Sequence, residues 1–278
     1  MAASLFTVPI INPSSPKASP SGTVVCSSPS AGIYILTFTS PPDNRLLTSF
    51  FQSLLLAFDI LEFSYPPGCV ITTSGVQKFY SNGLDLEHAS STEGFFPDSM
   101  FALFRRLLTY PMPTVALING HAFAGGFMLA MYHDYLIMNP SRGYLCLNEL
   151  DLGVPLQPAM SSVFRQKLAP AVYKAMVLEA KRFSGAQALE DGIVDGLGGM
   201  EEALRFVEER KLMEKSKTGV YGLLKKEMWR ESLGYLEKEG YEREVAKSEA
   251  YLKREEGRKV VGGKRVAEWT KNAGKAKL

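Results

Sequence analysis

The chain is short of cysteine, of net charge and of long apolar runs, and each shortage removes a class of function. Its three cysteines, Cys26, Cys69 and Cys146, are odd in number, far apart and without a Cys-x-x-Cys pair or a histidine cluster nearby. They give neither a disulfide framework nor a zinc site, and the expected surroundings are reducing. Lys and Arg number 31 against 29 Asp and Glu, so the formal charge of +2 offers no electrostatic footprint for nucleic acid. No apolar run approaches the roughly 20 residues of a membrane helix; even residues 54–63 are broken by Asp59 and Glu62. Glycine is plentiful, at 24 residues, yet no Gly-x-Gly-x-x-Gly dinucleotide turn and no Gly-Lys-Ser/Thr phosphate loop occurs. No cofactor, no metal, no nucleic acid and no membrane span are therefore expected.

What is present is an ordinary globular composition. With 46% hydrophobic and 22% charged residues, 278 residues suffice for one full core and a smaller helical appendage. Residues 1–22 are rich in Ser and Pro with a single charged side chain, Lys17, and read as a flexible arm without the charge pattern of a signal peptide. A hairpin follows over residues 23–39, turning at Gly32. Residues 47–63 carry apolar side chains on nearly every turn and read as a buried helix capped by Asp43 or Thr48. Short strands over 69–73, 114–118 and 135–138 alternate with helical stretches. That alternation predicts an α/β domain with a mainly parallel sheet, whose binding groups gather at loops beyond the strand ends. From Met200 the chain is helical and dense in Glu and Lys. The expected organisation is a core over 23–199 and a helical cap or oligomerisation region over 200–275.

The central stretch is the apolar run 114–118, then Asn119-Gly120-His121-Ala122-Phe123-Ala124-Gly125-Gly126 opening into an apolar helix. Glycines after a strand most often let a helix pack closely on a sheet. The first amides of a helix also lack intrahelical partners and sit at the positive end of its dipole. Gly125 and Gly126 are thus candidates to present bare N–H groups to an oxygen gaining negative charge. Ser81-Asn82-Gly83-Leu84-Asp85-Leu86 makes another tight turn past a strand end. Further on, Glu149 and Asp151 interrupt the apolar segment 144–153, and an ionised carboxylate is costly to bury unless something stabilises or uses it.

These segments, with residues 42–46 and 188–195, resemble the crotonase (enoyl-CoA hydratase/isomerase) superfamily over roughly residues 23–199, and most of all its delta-3-delta-2-enoyl-CoA isomerases of the peroxisomal type. The resemblance implies a crotonase-like spiral of strand-strand-helix units with a helical C-terminal region, assembled as a homotrimer or dimer of trimers. It implies an acyl-CoA substrate, with CoA as part of the substrate rather than a cofactor. It implies an oxyanion hole formed by the backbone N–H groups of Leu84 and Gly125, with Ser81, Asn82, Gly83 and Gly126 as substrate-binding neighbours and Glu149 as the catalytic base.

Hydratases of this family use two glutamates, one of them in the central helix. Here that position is Met128, which has no proton to move. One carboxylate suffices to remove a proton at C2 and return one at C4, so the pattern implies an isomerase converting 3-enoyl-CoA to 2-trans-enoyl-CoA in fatty-acid β-oxidation. A hydratase, another crotonase reaction in secondary metabolism, and a non-catalytic acyl-CoA-binding scaffold are the alternatives. Asp151 would share the face of Glu149 in an extended segment, although a loop-stabilising or capping role suits it better. His121, Asp85, Glu87 and Lys78 read as packing, loop-stabilising or solvated groups. Finally, Ala276-Lys277-Leu278 has the small-basic-leucine form of a peroxisomal address read by an import receptor, and a peroxisomal location is expected.

Overall fold

The computed structural model describes residues 4–11 and 20–275. Strands β2 (Gly22–Ser30) and β3 (Ile33–Thr39) form the expected antiparallel hairpin, and the turn residue Gly32 sits at φ 78°, where a side chain is disfavoured. Strand β1 (Ser4–Ile10) pairs antiparallel with β2, from Ser4 opposite Ser27 to Ile10 opposite Gly22. The flexible arm expected over residues 1–22 is therefore corrected for Ser4–Ile10, which is an edge strand. It is held there because Val8 and Ile10 alternate into the core and because Pro9 O accepts from Ser53 Oγ at 2.9 Å.

The remaining strands are β4 (Cys69–Ser74), β5 (Phe79–Ser81), β6 (Thr114–Ile118), β7 (His121–Phe123), β8 (Tyr135–Met138), β9 (Leu145–Cys146) and β10 (Gly196–Leu197). Among the described residues they build a seven-stranded sheet in the order β1-β2-β3-β4-β6-β8-β10 and a three-stranded sheet in the order β5-β7-β9. Successive pairs divide the same way each time: β4, β6 and β8 enter the large sheet, while β5, β7 and β9 enter the small one. From β3 onward all pairings in both sheets are parallel. This repeated division is the crotonase-like spiral, and it stacks the ends of β5 and β7 side by side.

Helix α1 (Thr48–Ser64) buries Phe50, Phe51, Leu54, Ala57, Phe58 and Leu61 at helical spacing. Neither Asp43 nor Thr48 caps it. Leu47 occupies the cap position without a side-chain bond, and the Thr48 N–H donates to the ring Nε2 of His88 at 3.2 Å. Next come α2 (Leu86–Ser91), a π-helical turn over Phe95–Met100 and α3 (Phe101–Thr109). The central helix α4 (Gly125–Met131) is followed by α5 (Glu149–Leu152), α6 (Pro158–Lys167), α7 (Pro170–Leu178) and α8 (Gly185–Glu190). Helices α9 (Met200–Glu209), α10 (Leu212–Lys215), α11 (Tyr221–Met228), α12 (Arg230–Leu236) and α13 (Lys238–Lys275) complete the chain.

The expected boundary at residue 199 is not a boundary in the packing. Ala203, Val207 and Leu212 cover Ile33, Ile71 and Val115 on one face of the large sheet, and Trp229, Leu233 and Leu236 belong to the main core. Beyond its first two turns α13 is almost wholly exposed. No described helix is long and apolar enough to cross a membrane. The expected targeting tripeptide, residues 276–278, lies outside the described residues.

Candidate active site

The first turn is built by polar side chains. After β5, Gly83 adopts φ 85° and sends Leu84 back across the end of the strand. Three consecutive residues of an earlier loop hold this turn. Asn44, fully buried, accepts from Ser40 N through Oδ1 at 2.7 Å and donates through Nδ2 to Ser74 Oγ at 2.6 Å and Tyr80 O at 3.0 Å. Asp43 Oδ2 accepts from Asn82 Nδ2 at 2.7 Å. Arg45 pairs with the same oxygen at 3.1 Å and donates to Asn82 O at 3.3 Å and Leu84 O at 3.1 Å. Ser81 Oγ closes the arrangement by donating to Asn44 O at 2.8 Å.

The second turn is built by backbone alone. Ala124, between β7 and α4, takes φ 46° and ψ −120°, a rare conformation for a residue with a side chain. Its N–H donates to Cys146 O at 2.9 Å, and its carbonyl accepts from Met128 N at 3.0 Å. The helix thus starts with Ala124 as its single spacer after the strand. A Cβ on Gly125 would stand 3.0 Å from the Leu84 side chain and 3.4 Å from Leu84 N, and one on Gly126 would stand 2.4 Å from Ser81 O. Only glycine allows the two turns to approach this closely. Among the described residues, neither the Leu84 N–H nor the Gly125 N–H has a hydrogen-bond acceptor within the protein. Both are left free beside one cavity.

That cavity measures about 500 Å³ and is lined by Leu86, Phe96, Met128, Leu152 and Met160 together with Arg45, Asn82, Leu84, Gly125 and Glu149. Glu149 opens α5 and is only 7% exposed. Its Oε2 is buried with no hydrogen-bond partner among the described residues. Loss of solvent raises its pKa from 4.5 to about 7, a rise its own backbone N–H partly offsets. Because the segment is helical, Asp151 lies on another side of the turn and is exposed; the shared face considered for an extended segment does not occur. Met128 is 2% exposed and lines the cavity with an apolar side chain.

Of the expected site residues, Leu84, Gly125, Glu149 and Asn82 come together on the cavity wall. Ser81, Gly83 and Gly126 do not line it. They sit behind the turns, where Ser81 Oγ accepts from Gly83 N at 3.2 Å and Gly126 packs on Ser81, and there they support the backbone of both turns. Asp85 caps α2 by accepting from His88 N at 2.9 Å, and Glu87 is exposed. His121 accepts from Tyr144 N through Nδ1 at 3.2 Å and stacks on the Tyr144 ring, while Lys78 lies over Phe79. Neither lines the cavity. The sequence places Asp43, Asn44 and Arg45 in an early loop and offers only a helix-capping role for Asp43. The signal that could have found them is three consecutive hydrogen-bonding side chains directly after two prolines, a pattern suited to bracing a turn.

Comparison with known proteins agrees with this geometry. The model of the enoyl-CoA hydratase/isomerase family matches residues 28–272. Enoyl-CoA delta isomerase 3 of Arabidopsis thaliana is 31% identical over 212 residues, covering 72% of this chain and 89% of the relative. Enoyl-CoA delta isomerase 2, peroxisomal, of the same plant is 31% identical over 219 residues, covering 73% and 91%. The crystal structure of human mitochondrial delta3-delta2-enoyl-CoA isomerase superposes with a TM-score of 0.66 over 84% of this chain and 98% of that one. At 24% identity that likeness speaks for the fold alone. The family match takes in both turns, the buried carboxylate and the C-terminal helices, and the chain therefore belongs to the enoyl-CoA hydratase/isomerase, or crotonase, family.

Proposed function

We propose that this crotonase is a delta-3-delta-2-enoyl-CoA isomerase with Glu149 as its single acid–base group. The observation that carries the reading is one unpaired, buried carboxylate on the wall that also presents two free amides, with methionine at position 128. The thioester oxygen of a 3-enoyl-CoA accepts from the N–H groups of Leu84 and Gly125. Glu149 removes a proton from C2, negative charge spreads through the dienolate onto that oxygen, and the protonated Glu149 delivers the proton to C4. The product is the conjugated 2-trans-enoyl-CoA. A base poised near 7 suits both halves of the transfer, because neither protonation state is held too strongly. The amides act at the moment charge appears, beside a carboxylate that is itself largely withdrawn from solvent. The apolar wall accommodates the acyl chain.

Relatives named as peroxisomal and the terminal Ala-Lys-Leu support a peroxisomal role in β-oxidation. Deleting residues 276–278 and locating the protein in cells tests that address, and unchanged import refutes it. A homotrimer or dimer of trimers is the proposed assembly, checked by the mass of the purified protein in solution.

The deciding experiment is turnover of a 3-enoyl-CoA followed through the conjugated thioester, with hydration of a 2-enoyl-CoA run in parallel. Glu149→Gln is expected to lower the isomerisation rate by about 10³-fold while the ester still binds. Near-normal turnover in that variant, or dominant hydration by the unaltered enzyme, overturns the proposal. In the free enzyme kcat/KM is expected to rise with pH through about 7 and then level off, because only the carboxylate accepts the proton. The same elevated pKa costs stability. The native state binds the proton more tightly than the unfolded chain, so stability falls as pH rises from about 4.5 to about 7. Glu149→Gln should therefore stabilise the fold at pH 8 by about 2 kcal/mol and by less at pH 5.

A further inference from the structure

Behind the cavity a chain of buried polar groups joins the elements that carry the two turns. Tyr80 on β5 lies four residues before Leu84, and Leu129 on α4 lies four residues after Gly125. Between them run three hydrogen bonds: Tyr80 Oη with Thr72 Oγ1 at 3.0 Å, Thr72 Oγ1 with His133 Nε2 at 2.9 Å, and His133 Nδ1 with Leu129 O at 2.9 Å. Tyr80, Thr72 and His133 are at most 1% exposed.

The direction of every bond follows from the last one. A carbonyl only accepts, so His133 Nδ1 carries the proton. Burial lowers the His133 pKa to about 4, despite the Leu129 carbonyl, so the ring is neutral and Nε2 accepts. Thr72 then donates to His133, and its oxygen accepts the hydroxyl proton of Tyr80, which burial also keeps in place. One arrangement satisfies all three side chains. Apolar residues would fill the same volume and tolerate sliding, whereas a satisfied buried network admits few geometries.

We infer that Tyr80, Thr72 and His133 are positioning residues that set the spacing between the Leu84 and Gly125 amides by tying β5 to α4 through β4. The inference rests on the oxyanion role given to those amides above. Lys167 reinforces the α4 end, donating through Nζ to Met131 O at 2.7 Å and to His133 O.

The test is Tyr80→Phe in the full chain, which removes one oxygen and keeps the ring. We expect kcat to fall about tenfold, the range a small misplacement of reacting groups produces, with KM for the CoA ester changed less than about twofold. The carbonyl stretch of a bound 2-enoyl-CoA should move toward its value in solution, and the pH profile should keep its midpoint, because Glu149 is untouched. Thr72→Val should reproduce the loss and Thr72→Ser should restore kcat; this pair decides the matter if Tyr80→Phe fails to fold. Lowered melting temperature with kcat and carbonyl frequency unchanged overturns the inference while leaving the isomerase reading intact. If the unaltered protein polarises the bound thioester without isomerising it, and Tyr80→Phe abolishes that polarisation, the spacing role stands and the reaction assignment falls. If the unaltered protein does not polarise the thioester, both fall.

Discussion

The turns at Gly83 and Gly125 meet at one cavity, yet they are held by different means. Side chains of Asp43, Asn44 and Arg45 brace the first from a loop some 40 residues upstream, and Ser81 at the end of β5 bonds back to that loop. Among the described residues no side chain hydrogen-bonds to the second turn itself; its position follows from a strained Ala124 and from glycines pressed onto Ser81 and Leu84, with the Tyr80–Thr72–His133 chain acting further along α4. A turn held by side chains can be loosened in graded steps. One held by backbone contact tolerates almost nothing, because a single methyl group already exceeds the space.

The largest effect that contrast predicts is at Gly126. A Cβ there would lie 2.4 Å from a backbone oxygen and 2.7 Å from Ser81 Cβ, so Gly126→Ala must displace the start of α4. Turnover should fall by about 10²-fold or more, in the range of losing an oxyanion donor, and stability by about 1–3 kcal/mol. Retained activity would show that the second turn has more play than its contacts allow.

An intermediate effect is expected at Asn44, on the braced side. Asn44→Ala leaves Ser40 N–H and Tyr80 O without partners in the interior and should cost about 2–3 kcal/mol in denaturant unfolding. Asn44 also sits at φ 52°. Asn44→Gly relieves that strain without restoring any bond, so the difference between the two variants separates backbone conformation from hydrogen bonding. The smallest effect belongs to Arg45, whose side chain is 43% exposed. Arg45→Gln should change stability by less than about 1 kcal/mol while lowering kcat a few-fold, since the carbonyls of Asn82 and Leu84 lose one donor. A large loss of stability there would mean that the two turns are braced more alike than the contacts indicate.

The two acids of the segment after β9 show how far sequence reading reaches. Glu149 and Asp151 are two residues apart among apolar neighbours, and nothing in that spacing separates a base from a loop residue. The helical conformation distinguishes them, because two residues are about half a turn: Glu149 faces the cavity and Asp151 faces solvent. A segment of four helical residues is too short for a periodic signal, so its conformation was not legible. The edge strand Ser4–Ile10 was missed for a related reason. Its Ser/Pro-rich surroundings dominate the composition, while its two buried residues, Val8 and Ile10, acquire meaning only against β2 and α1.

By itself the sequence determined the alternation of short apolar strands with helices, the two glycine turns past strand ends and the methionine at position 128. Each is a local property, set by side-chain period, by the backbone freedom of glycine or by the chemistry of one residue. Tertiary structure alone decided which of the expected neighbours reach the cavity, that residues 43–45 brace the first turn, and that Tyr80, Thr72 and His133 form one chain. Those relations join residues tens of positions apart, and their distances come into being only when parallel strands bring β4, β5 and β7 together. The elevated pKa of Glu149 belongs with them, because the desolvation that raises it exists only once the apolar wall has closed around the carboxyl group.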